Sequence, residues 1–81
     1  MNELKRLQNE REFEFWISLP GGGRKYWFDT TGRNGEKARY IKEVDENETT
    51  TFFYQEIYNA EGILTEIHKK FPIDEGHQKI I

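Results

Sequence analysis

The sequence predicts a β-rich α+β fold, in which a short N-terminal helix precedes a five-stranded antiparallel meander that is strongly twisted and tends toward a small barrel. Two observations predict this fold. Helix-forming residues dominate the N-terminal segment, whereas the rest of the chain alternates apolar and polar residues over short runs. Turn signals separate these runs at intervals of roughly ten residues, which is the spacing of a meander. A chain of 81 residues has the size of one domain, so we expect residues 1–81 to form a single small unit.

The helix is predicted over residues 2–11. This segment is rich in Glu, Lys, Leu and Gln, which are all good helix formers. Leu4 and Leu7 lie three positions apart and therefore share one face of the helix. Because this apolar stripe is narrow, we expect the helix to cap a sheet edge rather than to cover a whole sheet face.

The five strands are predicted at residues 12–19, 25–31, 36–44, 49–58 and 63–71, followed by a tail at 72–81. Asn34 and Gly35 predict a tight hairpin between the second and third strands, because both residues tolerate positive φ. The segment from Asn59 to Gly62 predicts a type I turn closed by a left-handed glycine, between the fourth and fifth strands. The tail shows no clear apolar period and is predicted to be a loop.

The predicted turns also set which residues face each other. The last hairpin pairs Tyr58 with Leu64, Glu56 with Glu66 and Tyr54 with His68. The turn between the third and fourth strands constrains the register less, and we choose the version with Asn47 in the left-handed region. That version groups Ile41 with Phe53 on one face, and Tyr40 with Phe52 and Tyr54 on the other.

Alternation along these strands nearly sorts the aromatic residues by type. Phe13, Phe15, Phe28 and Phe53 fall with isoleucines on the predicted core face. The opposite face is predicted to be a binding face of Trp16, Trp27, Tyr40, Tyr54 and Tyr58. Tryptophan and tyrosine carry a polar group and suit a surface that meets a partner. The leading hypothesis is therefore a non-enzymatic protein-interaction or self-association module, whose partner is another protein or a second copy.

Composition narrows the other classes of function. Fifteen acidic residues outnumber twelve basic ones, which disfavours a general nucleic-acid binder. Single-stranded nucleic acid stacking on the aromatic face, near Lys37, Arg39 and Lys42, remains an alternative hypothesis. There is no apolar run of the length that crosses a membrane, the N-terminus is too polar for a secretory signal, and cysteine is absent. We therefore expect a cytoplasmic protein with no cofactor and no membrane partner.

Two small sets of residues suggest chemistry. His68 and His77 could serve as general base and general acid in a small metal-independent nuclease, which is a second alternative hypothesis. Glu56, Glu66 and His68 are candidate metal ligands because their predicted pairing brings them together. The spacing matches no metal-binding motif, so we predict no metal site and expect Lys37 or Lys42 to offset the facing glutamates.

Overall fold

The structure is a computed structural model that describes residues 2–80. Its elements are α1 (Glu3–Glu12), β1 (Phe15–Ser18), β2 (Arg24–Thr31), β3 (Lys37–Val44), β4 (Thr50–Tyr58), β5 (Leu64–Phe71) and β6 (Gly76–Lys79). All six strands pair antiparallel with their neighbours in chain order. The predicted β-rich α+β fold is confirmed. The sheet is not closed into a barrel, and β1 and β6 are its two edges.

The sixth strand lies in the segment that the sequence predicts to be a loop. β6 pairs with β5 from Gly76, opposite Lys69, to Lys79, opposite Glu66. Three of its four residues are exposed, so burial imposes no apolar alternation on its sequence. The last residue of the predicted tail, Ile81, lies outside the described residues.

The first strand is shorter than predicted because the helix runs further. α1 continues to Glu12, and Phe13 caps it with an N–H that donates to the Asn9 carbonyl at 2.9 Å. At its other end, the Asn2 side chain accepts a hydrogen bond from the Lys5 N–H at 3.1 Å. The strand can therefore begin only after this cap, at Phe15.

Polar contacts, and not the predicted leucine stripe, attach the helix to the sheet. Leu4 and Leu7 are 81% and 51% exposed. The buried Asn9 instead accepts a hydrogen bond from Lys42 Nζ at 2.8 Å. The prediction that the two leucines form the packing face is therefore wrong.

The helix lies on one face of the sheet, which we call the helix-side face and which contains Tyr26, Phe28, Tyr40, Lys42 and Phe53. The other surface, which we call the open face, contains Trp27, Ile41 and Tyr54. The main core cluster is on the helix side, where Phe13, Tyr26 and Val44 are buried and partly buried Phe28 and Phe53 pack against them, while Ile41 is fully buried on the open face. Because Phe13 lies in the helix cap, it reaches this face although Phe15 points to the open one.

A bulge corrects the predicted register of β3 and β4. The residue with positive φ in the turn is Glu48 (φ 63°), not Asn47. Thr51 is an extra residue between the pairs Val44–Thr50 and Glu43–Phe52. One extra residue exchanges the faces of everything beyond it. Ile41 consequently faces Tyr54 and Tyr40 faces Gln55, in place of the predicted groupings.

A second bulge changes the pairing of β4 and β5. The predicted hairpin is present: Asn59 N–H donates to the Ile63 carbonyl at 2.9 Å, Gly62 has a φ of 81°, and Tyr58 faces Leu64. Thr65 is then the extra residue. The observed pairs beyond it are Ile57–Glu66, Glu56–Ile67, Gln55–His68 and Tyr54–Lys69. The predicted pairs Glu56–Glu66 and Tyr54–His68 are therefore wrong.

Candidate functional site

The predicted Trp/Tyr binding face is divided between the two sides of the sheet. Trp27, Tyr54 and Tyr58 belong to the open face. Trp16 pairs with Tyr26 and Tyr40 pairs with Phe28, so both lie on the helix side. This division follows from the hairpin registers, which pair Trp16 with Tyr26 and Tyr40 with Phe28, and from the bulge at Thr51, which places Tyr54 opposite Ile41 on the open face. The five residues therefore do not form one continuous surface.

An ion pair organises the centre of the open face. Arg39 donates to the two carboxylate oxygens of Asp29 at 2.7 and 3.1 Å. This paired guanidinium holds the pKa of the Asp29 carboxyl below its usual range. The same guanidinium lies 5.8 Å from the ring centroid of Trp27 and 5.9 Å from that of Tyr58. Arg39 is thus engaged by the protein's own groups.

The tyrosine hydroxyls of the open face are also engaged within the sheet. Tyr54 donates to Glu43 at 2.9 Å, and Tyr58 donates to Glu56 at 2.8 Å. Burial, followed by the neighbouring carboxylate, raises the pKa of both phenols. These glutamates, together with Asp29, place negative charge among the rings. Lys25, Lys37, Arg39 and Lys69 lie on the same face, so the open face carries charges of both signs.

The edge strand β1 presents three consecutive apolar side chains to solvent. Phe15, Trp16 and Ile17 are 43%, 41% and 49% exposed. Phe15 stacks on Trp27 with ring centroids 5.7 Å apart, and the Arg24 guanidinium lies 5.4 Å from the Trp16 ring. These contacts hold the rings in place without covering them. The sequence predicts Trp16 in a binding surface but Phe15 and Ile17 in the core.

The two histidines of the chain meet at the opposite end of the sheet. His68 on β5 and His77 on β6 face each other, with ring centroids 4.5 Å apart. His68 Nε2 lies 2.7 Å from Asp74 Oδ1, and His77 Nδ1 lies 4.0 Å from Glu66 Oε2. Both histidines are predicted from the sequence, in which Asp74 is a neighbour of the pair without an assigned role. Its signal is the Asp74 to Gly76 turn, in which the Gly76 N–H donates to the same carboxylate oxygen at 2.9 Å.

The candidate metal ligands do not converge. Glu56 faces Arg39 and Ile67 on the open face, whereas Glu66 and His68 lie on the helix side. Within residues 2–80 there is no group of three His, Cys, Asp or Glu side chains that could hold a metal ion.

The predicted lysine compensation of the glutamates is also not observed. Lys37 Nζ lies 3.8 Å from Asp29, and Lys42 binds Asn9. Since Glu56 and Glu66 do not face each other, there is no like-charge pair for either lysine to offset.

Comparisons with known proteins add no assignment. No protein-family model, curated protein or solved structure matches the chain. Among residues 2–80, no helix has the length and apolar character needed to cross a membrane.

Proposed function

We propose that this protein is a self-association module in which two copies join their sheets through β1. The observation that carries the proposal is the run of exposed apolar side chains from Phe15 to Ile17 on an edge strand. Edge strands offer unpaired backbone N–H and C=O groups that can pair with another strand. Proteins usually protect such edges with charged residues or proline, and β1 contains neither.

The sequence of β1 is complementary to itself. In an antiparallel pairing about a two-fold axis through Trp16, this residue faces its own copy on the helix-side surface. Phe15 then faces Ile17 of the second copy on the open face, and the reciprocal pair forms on the other side of the axis. Apolar and aromatic cross-strand pairs of this kind stabilise antiparallel sheets. Pairing with a second copy of the chain therefore gives β1 apolar contacts on both faces of the sheet.

The charges around β1 are compatible with this pairing. No charged residue lies between Phe15 and Ser18, so the paired segments do not repel each other. In the same register, Glu14 faces the uncharged Ser18 of the second copy. The joined open faces would also continue the stack of Phe15 on Trp27 across the new contact. Two-fold pairing of this type closes upon itself and produces a dimer.

Sedimentation across a concentration series, with tryptophan emission recorded on the same samples, tests the proposal. We expect a concentration-dependent dimer whose emission shifts to the blue, because Trp16 becomes buried on association. Ile17→Lys should raise the dimer Kd by about 30-fold or more, since about 2 kcal/mol corresponds to that factor. The cause is a lysine placed in the apolar contact of each copy.

Ile63→Lys is the matched control, because Ile63 is an isoleucine of nearly equal exposure, 50%, in a different hairpin. Its Kd should equal that of the unaltered protein. A chain that stays monomeric at all concentrations would contradict the proposal. Equal weakening by the two lysine variants would show that the association uses a surface other than β1.

A further inference from the structure

We infer that His68, His77 and Asp74 form a general acid–base site that cleaves RNA by attack of its own 2′-hydroxyl. The inference concerns the β5–β6 end of the sheet and does not depend on association through β1. It rests on the contact between the two histidine rings, on the carboxylate that holds one of them, and on the cations of the surrounding surface.

The ladder between β5 and β6 positions the two imidazoles. His68 and His77 are directly opposite each other, so their side chains are neighbours on one face, with ring centroids 4.5 Å apart. The His77 side chain is half-exposed, whereas His68 is largely covered. One fixed ring and one accessible ring suit two different proton-transfer roles at the same phosphate.

Asp74 determines which nitrogen of His68 is available. Its carboxylate accepts hydrogen bonds from the Gly76 N–H at 2.9 Å and from His68 Nε2 at 2.7 Å. The first of these bonds, and then the second, lowers the pKa of the Asp74 carboxyl, so this group is ionised at neutral pH. An ionised carboxylate can only accept, so Nε2 of His68 carries the proton of this bond and Nδ1 is the free base. Asp74 is therefore a positioning residue.

The surrounding face offers positive charge, beside a Tyr40 ring that stacks on Phe28 with centroids 5.1 Å apart. Lys70 Nζ lies 5.2 Å from the ring centroid of Tyr40. Tyr40, Gln55 and His68 are consecutive partners across three strands, which places Tyr40 about 10 Å from His68 at the usual strand spacing. Lys79 lies on the same face, opposite Glu66. Ammonium groups on the same face as the histidines are the elements that bind a phosphate.

The class of substrate follows from where the nucleophile must come from. The chain has no cysteine, the hydrogen-bonding partner of His68 is the carboxylate of Asp74, and His77 lies 4.0 Å from the carboxylate of Glu66. RNA supplies its own nucleophile, the 2′-hydroxyl next to the phosphate, whereas DNA does not. Two histidines and a nearby cation are then sufficient for chain cleavage.

The reaction balances without any co-reactant. Neutral Nδ1 of His68 takes the proton of the 2′-hydroxyl, and this oxygen forms a bond to the adjacent phosphorus. The bond from phosphorus to the 5′-oxygen breaks, and protonated His77 donates its proton to the departing oxygen. The products are a 2′,3′-cyclic phosphate and a free 5′-hydroxyl. Proton exchange with water restores both imidazoles.

A fluorescently labelled RNA oligonucleotide, with a DNA oligonucleotide of the same sequence beside it, tests the activity in the presence of EDTA. We expect cleavage of the RNA alone, with 2′,3′-cyclic phosphate ends. His68→Ala and His77→Ala should each lower the rate by about 100-fold or more. Gln78→Ala is the control, because it is exposed on β6 beside His77 and points to the other face. It should retain full activity.

The Asp74→Asn variant tests whether Asp74 positions His68 or only supports the fold. It should lower kcat by about tenfold or more while KM stays the same, because the substrate does not contact Asp74. Circular dichroism of each variant verifies the fold. The inference is overturned if the unaltered protein cleaves no faster than the His68→Ala/His77→Ala double variant, if EDTA abolishes cleavage, or if DNA is cut equally. If KM in Asp74→Asn changes by the same factor as kcat, Asp74 is not a positioning residue.

Discussion

The two edge strands of the sheet differ in composition and in the residues that lie next to them. β1 exposes Phe15, Trp16 and Ile17, whereas β6 consists of Gly76, His77, Gln78 and Lys79. β1 lies next to the buried core under the helix, whereas β6 and its neighbour β5 carry the histidine pair. A lysine and other polar residues protect the β6 edge from pairing, while the β1 edge has no such protection. The two proposals made above place association at the β1 end of the sheet and chemistry at the β6 end, and the buried core lies at the β1 end.

The largest expected effect is on stability, and it should differ between substitutions at the two ends of the sheet. Phe13→Ala should lower the free energy of unfolding by about 3–5 kcal/mol, because it removes a buried ring that packs on Tyr26 and Phe28. His77→Ala, at the half-exposed end, should change it by less than about 0.5 kcal/mol. Urea unfolding at one fixed protein concentration measures both. Equal losses would contradict the prediction that the helix end contributes more to stability.

A smaller effect should come from the buried hydroxyl of Tyr26. This group donates to Glu48, whose Oε1 also binds Arg6 at 3.0 Å, while the buried Oε2 has no hydrogen-bond partner among the described residues. Tyr26→Phe takes a donor from a buried carboxylate, so it should cost about 1–3 kcal/mol. Urea unfolding at neutral pH gives this difference.

The same variant should alter the response to alkaline pH. Burial, and then the bond to Glu48, raises the pKa of Tyr26 to about 12, above its ordinary value of 10.0. Because the folded pKa is the higher one, the stability from this group is complete below pH 10 and is lost as the pH rises toward 12. Tyr54 and Tyr58 add to the alkaline loss in both proteins, so the comparison is between slopes. The slope should be smaller in Tyr26→Phe, and identical slopes would contradict the role of this hydroxyl.

Local signals in the sequence were sufficient for the fold class and for the turns at Asn34–Gly35 and Asn59–Gly62. Asn34 and Gly35 have φ angles of 56° and 79°, as expected for an Asn-Gly hairpin. The strand registers, in contrast, depend on tertiary contacts. Tyr26 and Arg6 bind the Glu48 side chain in the core, and Glu48 takes the left-handed position expected of Asn47. No alternation rule shows such a contact, nor does it show a bulge such as Thr51.

The two candidate sites were predictable to different degrees. Both histidines could be named from the sequence, but β6 was needed to bring them together, and its exposed residues carry no periodic signal. Trp16 could be named as a contact residue, whereas its neighbours Phe15 and Ile17 were expected in the core. Their exposure follows from the length of α1, which places Phe13 in the core in their stead. Helix ends are set by capping and packing, which composition alone does not fix.

Disulfide trapping at Trp16 is the most direct test of whether two copies associate through β1. The chain has no cysteine, so Trp16→Cys provides a single thiol. Directly opposed residues of antiparallel strands have Cα atoms about 4.5–5.5 Å apart, which a disulfide can span. We predict a covalent dimer under mild oxidation for Trp16→Cys but not for Ile17→Cys, whose copies are offset along the strands, nor for Ile63→Cys. Equal cross-linking of the three variants, or none for Trp16→Cys, would contradict pairing through β1.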